Sequence, residues 1–317
     1  MSGAVGTATN PPAPTPRVWA IGGGKGGIGK SVIAANLAVV LAQRGCRVVL
    51  IDADLGGANL HTILGMPARG PTLSDFLLRR SERLGDIVVP TATAGLSLVS
   101  GSRAPVDSAN PRYAQKVRLL RHIATLPADH AVLDLGGGSS FNMLDFFLAA
   151  DHGVVVVVPE ATSVENAYHF LKAAYFRRMR RAQPRERVKA AVAAAMAQLQ
   201  QLDIRSPREL LRRVAEADPT AAEGMLREAR RFDPALVVNR VQRPEHRRLG
   251  VDMGLACEDY FGRRMPCLGT IEEDEVVARS VHERQPAAER YPDSRFVGAL
   301  RGVVDRLVGG AGAAHGA

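Results

Sequence analysis

Six short apolar runs rich in β-branched residues, at 17–21, 47–51, 131–135, 154–158, 235–239 and 266–271, alternate with longer stretches of helical periodicity. That alternation allows few folds. It predicts parallel strands joined by crossover helices, hence an α/β doubly wound, mostly parallel sheet flanked by helices. The run Val154–Val158 is valine throughout and apolar on both faces, as a central strand between two helix layers must be. With 317 residues, of which 46% are hydrophobic, the chain can bury a large core. Its longest apolar run, Val154–Pro159, is far shorter than the roughly 20 residues of a membrane span, and the N-terminus lacks the apolar core of a signal peptide. A cytoplasmic protein is the expectation. Cys46, Cys257 and Cys267 are widely spaced with no CxxC pair, which argues for core thiols rather than a disulfide framework, a zinc site or an iron–sulfur site.

The alternation is interrupted twice. Residues 1–16 offer little to bury and read as a disordered leader. Between the helix predicted at 163–180 and the strand at 235–239, about fifty residues carry no strand signal and read as a basic helical insertion, 181–232, within one domain of 17–308. Ala190–Leu199 is rich in helix formers, and Ser206-Pro207 gives an N-cap followed by proline at the first helical position. From Arg177 to Arg231 there are 14 Lys and Arg against 7 Asp and Glu, so most of the chain's net charge of +9 sits here. Two readings remain for it: a solvated helical hairpin, or a docking surface for an acidic partner or nucleic acid. Near the C-terminus, Phe296, Val297, Leu300, Val303, Val304 and Leu307 form a helical stripe. An anionic membrane surface is one destination for it, but core packing is favoured, because only 309–317, expected as a flexible tail, follow it.

The chemistry is concentrated after the first strand, in Gly22-Gly23-Gly24-Lys25-Gly26-Gly27-Ile28-Gly29-Lys30-Ser31, which opens the helix Val32–Gln43. Strand, glycine-rich loop and helix together make a phosphate cradle. Backbone N–H groups from Gly24 through Val32 close on phosphate oxygens, the helix N-terminus adds its dipole, Lys30 neutralises charge, and Ser31 ligates Mg²⁺. A bare turn has no need of Gly-Lys-Ser at a helix start. Two further strands end in carboxylates, Asp52 with Asp54, and Asp134 before Leu135-Gly136-Gly137-Gly138, at the edge where open α/β sheets bind ligands. Capping of the following turn by Asp52 or Asp54 is compatible with a role in the site.

The form Lys25-Gly26-Gly27-Ile28-Gly29-Lys30-Ser31 resembles the deviant Walker A box of the MinD/ParA family of ATPases. This resemblance implies a P-loop fold of the SIMIBI type, ATP and Mg²⁺ as ligands, and an ATP-dependent homodimer in which Lys25 reaches the partner's phosphates, as an arginine finger supplied in trans does. It further implies that Asp54 positions the attacking water, that Asp52 supports the Mg²⁺ shell, and that Asp134 holds a Mg²⁺ water. Asn239-Arg240 and Gly269–Asp274 resemble the family's base-recognition segments. Asp54-Leu55-Gly56-Gly57-Ala58-Asn59-Leu60 and the stretch Pro159–Tyr168 look like the FlhG/FleN-type subgroup, which implies a role in placing or counting a cellular structure, an activating or client protein, and recruitment to a pole, nucleoid or inner membrane surface. A ParA-like protein that binds DNA through the basic 177–231 segment is the alternative.

Overall fold

The computed structural model describes residues 15–101, 111–181, 206–217 and 219–313. Eight strands form one sheet in the order β3-β4-β2-β5-β1-β6-β7-β8. They are β1 (Arg17–Gly22), β2 (Val48–Asp52), β3 (Val89–Pro90), β4 (Leu96–Val99), β5 (His130–Asp134), β6 (His152–Val157), β7 (Ala235–Val241) and β8 (Cys267–Glu272). All neighbours are parallel except β3, which runs antiparallel to β4. The six expected strands are present, and β3 and β4 are additions at one edge. Leu96-Ser97-Leu98-Val99 has one β-branched residue, and Val89-Pro90 ends in a residue that cannot donate to a ladder, so neither carries the sequence signal of a strand.

Twelve helices among the described residues connect and cover the strands. In chain order they are α1 (Lys30–Gln43), α2 (Leu60–Ile63), α3 (Leu73–Leu77), α4 (Tyr113–Ile123), α5 (Phe141–Ala149) and α6 (Ala161–Arg181). The C-terminal half adds α7 (Pro207–Ala217), α8 (Pro219–Arg230), α9 (Leu249–Phe261), α10 (Glu275–His282), α11 (Ala287–Arg290) and α12 (Arg295–Ala313).

The period-2 alternation of the strands divides the core into two layers. Trp19, Ile21, Leu50, Val132, Val154 and Val156 face α1 and α12 on one side, while Ala20, Ile51, Leu133, Val155 and Val157 pack with α5 and α6 on the other. β6 lies between β1 and β7, and its valines are buried on both faces. The C-terminal stripe belongs to the core: Phe296, Val297, Leu300, Val303 and Val304 are at most 1% exposed. Burial of side chains of this size contributes about 1.5–3 kcal/mol each, which holds α12 against α1 and β8 rather than at a surface. The helix also continues through Gly309–Ala313, into the stretch expected as a tail. Among the described residues no helix is long and apolar enough to cross a membrane.

In the interrupted region α7 and α8 stand where a helical insertion is expected, and Ser206 Oγ accepts a hydrogen bond from Glu209 N at 3.2 Å. The helix expected at Ala190–Leu199 and most of the leader lie outside the described residues. All three cysteines are free, and burial pushes the Cys257 thiol up to about 11. On the layer opposite α1, Asp145 of α5 is 1% exposed and is met by Lys116 of α4 and by Arg177 of α6. Removing one member would strand a buried charge, so this triad pins three helices together.

Candidate functional site

Strand register sets the site. Asp134 at the end of β5 pairs with Ile21 of β1 on one side and with Asp52 of β2 on the other. The loop after β1 therefore leaves the sheet beside both carboxylates. Gly29 (φ 91°) precedes α1 without a side-chain cap, and no acidic residue occupies the first turn, so the helix dipole and first N–H groups remain available to an anion.

Around this point lies a cleft of about 800 Å³. Gly26, Gly27, Gly29, Lys30, Ser31 and Val32 supply its phosphate side. Asp54 and Gly136-Gly137 close one flank, and Asn239, Arg240 and Glu272–Asp274 form the other. The structure thus gathers most of the expected site residues around one cavity. Gly24, Lys25 and Ile28 belong to the same loop but serve it differently. Ile28 is in the core at 3% exposure, and its carbonyl accepts a hydrogen bond from Asn239 Nδ2 at 2.9 Å. A Cβ on Gly24 would lie 2.0 Å from the Asn166 carbonyl oxygen of α6, so only glycine allows the loop to sit against that helix.

Lys30 is 6% exposed, and its Nζ donates to the Lys25 carbonyl at 2.8 Å. Burial lowers its pKa, and the charges of Asp134 and Asp54 oppose that shift. Asp134 is raised to about 8, by burial first and by the neighbouring Asp52 charge second. Burial likewise raises Asp52 to about 7. The Oδ1 atom of Asp134 is buried with no hydrogen-bond partner, whereas the Asp52 oxygens accept from Leu60 N at 3.1 Å and Asp54 N at 3.3 Å. A lone buried carboxylate oxygen beside a serine hydroxyl, two carboxylates short of countercharge, and space for phosphate form a hard-oxygen donor set that fits Mg²⁺. No group of three or more His, Cys, Asp or Glu side chains among the described residues could hold a metal alone. Mg²⁺ at phosphate sites needs only one or two protein ligands and keeps several waters.

Asp54 Oδ1 accepts from Gly56 N at 3.2 Å and Gly57 N at 3.0 Å, which fixes the carboxylate at the turn after β2. A Cβ on Gly137 would sit 2.8 Å from Gly26 N, so the loop after β5 rests directly on the phosphate loop. Arg240, at φ 54° beside a register irregularity between β7 and β8, holds a backbone conformation that side chains rarely adopt. Strain of this kind costs on the order of 1–3 kcal/mol and concentrates at ligand sites.

Lys25 lies apart from the cradle. Its ammonium donates to Glu160 Oε2 at 2.7 Å and to Thr162 Oγ1 at 3.0 Å, and its side chain is 37% exposed. Sequence reasoning did not identify Glu160 and Thr162 as partners of Lys25. Their stretch, Pro159–Tyr168, stood out only as a family resemblance, and nothing in local spacing joins it to a loop 135 residues away. Ser163 Oγ accepts from Val158 N at 3.1 Å, tying the start of α6 to the end of β6. Asn59 and Thr62 also line the cleft without having been singled out for it.

A doubly wound parallel sheet with a glycine-rich cradle between a central strand and α1 defines a P-loop nucleotide-binding protein. The sequence matches the CobQ/CobB/MinD/ParA nucleotide binding domain family over residues 19–287, and the chain belongs to that family. It is 35% identical over 158 residues to the antiactivator FleN of Pseudomonas aeruginosa, which covers 49% of this chain and 55% of that protein. It is 31% identical over 160 residues to the flagellum site-determining protein YlxH of Helicobacter pylori, covering 48% and 52% respectively. The chain spans about half the length of these curated relatives. The septum site-determining protein MinD of Pyrococcus horikoshii, solved with Mg-ADP, superposes with a TM-score of 0.64 over 94% of this chain and 98% of that one. At 21% identity that likeness speaks for the fold.

Proposed function

We infer that the chain is a Mg-ATP-dependent dimerising switch ATPase that hydrolyses ATP to ADP and phosphate to control the placement or number of a cellular structure. The observation that carries this is the division of labour between two lysines. Lys30 occupies the cradle, whereas Lys25 stands at its mouth, partly exposed and held outside by Glu160 and Thr162. A cation so placed is in position to serve a second chain's phosphates. The relatives named for flagellum and septum site determination support the positioning role.

In this reading, amides of Gly26–Val32 and the Lys30 ammonium bind the β- and γ-phosphates, Asn239 and Arg240 bound the base side, and Ser31 and Asp134 would hold Mg²⁺ with Asp52 in support. Mg²⁺, when bound, offsets phosphate charge and polarises the γ-phosphoryl group. Asp54 Oδ2, free of hydrogen bonds within the described chain, orients a water and takes its proton as oxygen attacks the γ-phosphorus. The bond to the β–γ bridging oxygen breaks, ADP leaves, and the loop carrying Gly136-Gly137 relaxes. A partner protein accelerates an otherwise slow turnover.

The charge of 177–231 motivates the DNA-binding alternative, but Arg177 and Arg178 are turned inward, onto Asp145 and Glu228. Charge reversal there would unpin α6 before it tested DNA.

Two variants test the reading by light scattering and phosphate release. Asp54→Ala keeps ATP binding, loses turnover by about 100-fold or more, and accumulates a dimer; unchanged hydrolysis removes Asp54 from its role. Lys25→Ala binds nucleotide as a monomer; a wild-type ATP-dependent dimer removes the role in trans.

A further inference from the structure

Away from the nucleotide cleft, and sharing no lining residue with it, a second depression of about 640 Å³ lies between α7, α8 and the end of α9. Its floor is apolar. Leu211 and Ala215 stand one turn apart on α7, Leu226 and Ala229 face them from α8, and Phe261 closes the base from α9. Leu226 is 40% exposed, unusual for a leucine inside a concave surface.

The rim is basic, formed by Arg208 and Arg212 on α7, Arg230 on α8, and Arg263 just beyond α9. Two of these are engaged: Arg212 meets Glu216 in an exposed pair, and Arg263 is bound to Asp233 and to the Arg230 carbonyl. Glu209, the one acidic residue of the lining, is taken by Arg213 at 3.1 Å. Arg208 and Arg230 meet no carboxylate among the described residues. The depression therefore combines exposed apolar area with two guanidinium groups that lack countercharge among the described residues.

Spacing narrows the occupant. Arg208 and Arg212 are i,i+4 on α7, parallel to the i,i+4 pair Leu211 and Ala215, and α8 sets Leu226 and Ala229, at i,i+3, beside Arg230. Each helix lays an apolar step alongside an arginine, and the complement is a helix with an apolar stripe flanked by carboxylates. A nucleic-acid groove would instead carry cations along its floor and open aromatic faces for stacking. Here the floor is aliphatic and Phe261 is 3% exposed.

We propose that this groove docks an acidic amphipathic helix of a partner protein, with Arg208 and Arg230 taking its carboxylates in bidentate fashion and Leu226 seating its apolar face. The assignment does not depend on ATP hydrolysis.

The test titrates the full chain into a fluorescein-labelled synthetic helix of about 18 residues, with Leu at i, i+3, i+4 and i+7 and Glu on the flanks. Controls are the same residues scrambled out of register, a Lys-for-Glu version, and a labelled DNA duplex of about 20 base pairs. The patterned acidic peptide is expected to bind in preference to all three. Arg208→Glu with Arg230→Glu should weaken it about tenfold or more, and Leu226→Glu by a similar factor. Fluorescent-nucleotide binding, read on the same samples, should stay at the wild-type value and certify the fold. Equal binding of the scrambled peptide, no binding of the patterned one, or indifference to the arginine reversals overturns the proposal. DNA binding lost on those reversals assigns the groove to nucleic acid, and peptide binding gained only after deletion of 182–205 assigns it to the chain's own segment; either result overturns it too.

Discussion

In the cleft at the sheet edge, ionisable groups are buried: Lys30, Asp52 and Asp134 are each at most 6% exposed, and Asp134 Oδ1 has no hydrogen bond. On α7 and α8 the opposite holds, for the pairs Arg212–Glu216 and Arg227–Glu223 lie in water with both members more than half exposed. The cleft stores unfavourable electrostatics that a charged ligand relieves, whereas the helix pair stores almost none and offers spare charge to whatever approaches. The two regions are joined by α6, which touches Gly24 through Asn166 near one end and α8 through Arg178 near the other. If this contrast is right, single substitutions in the cleft should act strongly on ligand binding, and those on the helix pair weakly on stability.

The largest effect is expected at Lys30. Lys30→Ala removes the buried ammonium whose charge couples to Asp134 and Asp54, so Mg-ATP affinity should fall by about 100-fold or more, beyond detection by calorimetry. Residual binding within about tenfold of wild type would mean that backbone amides dominate the cradle. Next comes Gly24→Ala. The added carbon meets the backbone of α6, which cannot yield as a side-chain tip would, and overpacking of this kind costs about 1–3 kcal/mol or more. Chemical denaturation should show that loss together with weakened nucleotide binding; an unchanged midpoint would break the link between cradle and α6.

How far these features could be read from sequence depends on whether their cause is local. The cradle was legible because glycines, Lys30 and Ser31 occupy consecutive positions between a strand and a helix, and Asp52, Asp54 and Asp134 were legible because each ends an apolar run. The six expected strands followed from their short β-branched apolar runs, the edge strand β8 among them. β3 and β4 escaped because two and four residues at a sheet edge need no such composition. Long-range contacts escaped for a different reason: the Lys25–Glu160 pair and the triad on Asp145 depend on how helices cross the sheet, which no local period encodes. Arg177 looked like surface charge and is in fact one of the three members of a buried anchor.

A smaller effect should appear with pH. Asp134 and Asp52, raised to about 8 and about 7, hold protons in the folded state that the unfolded chain releases near its ordinary carboxylate value. Between those limits the native state binds more protons, so ligand-free stability should fall as pH rises, by up to about 1.4 kcal/mol per pH unit for each proton. Mg-ADP requires the ionised carboxylates, so the melting temperature it adds should be larger at high pH than at low. Asp134→Asn should flatten the ligand-free pH profile relative to wild type and weaken the Mg²⁺ dependence of nucleotide binding. A ligand-induced shift independent of pH in the wild type would show that the carboxylates are already ionised.

The smallest effect probes the other side of the contrast. Arg212 and Glu216 are 67% and 62% exposed, and a solvent-screened pair one helical turn apart contributes about 0.3–0.5 kcal/mol. Arg212→Ala should therefore lower stability by no more than about 0.5 kcal/mol in urea denaturation, with nucleotide affinity unchanged. Arg212 lies beside Arg208 on the groove rim, so its removal also lessens local repulsion between guanidinium groups and offsets part of that loss. A destabilisation of about 2 kcal/mol or more would show that Arg212 is structurally fixed, and the helix pair would then have to be regarded as a packed element like the Asp145 triad rather than as a surface holding charge in reserve.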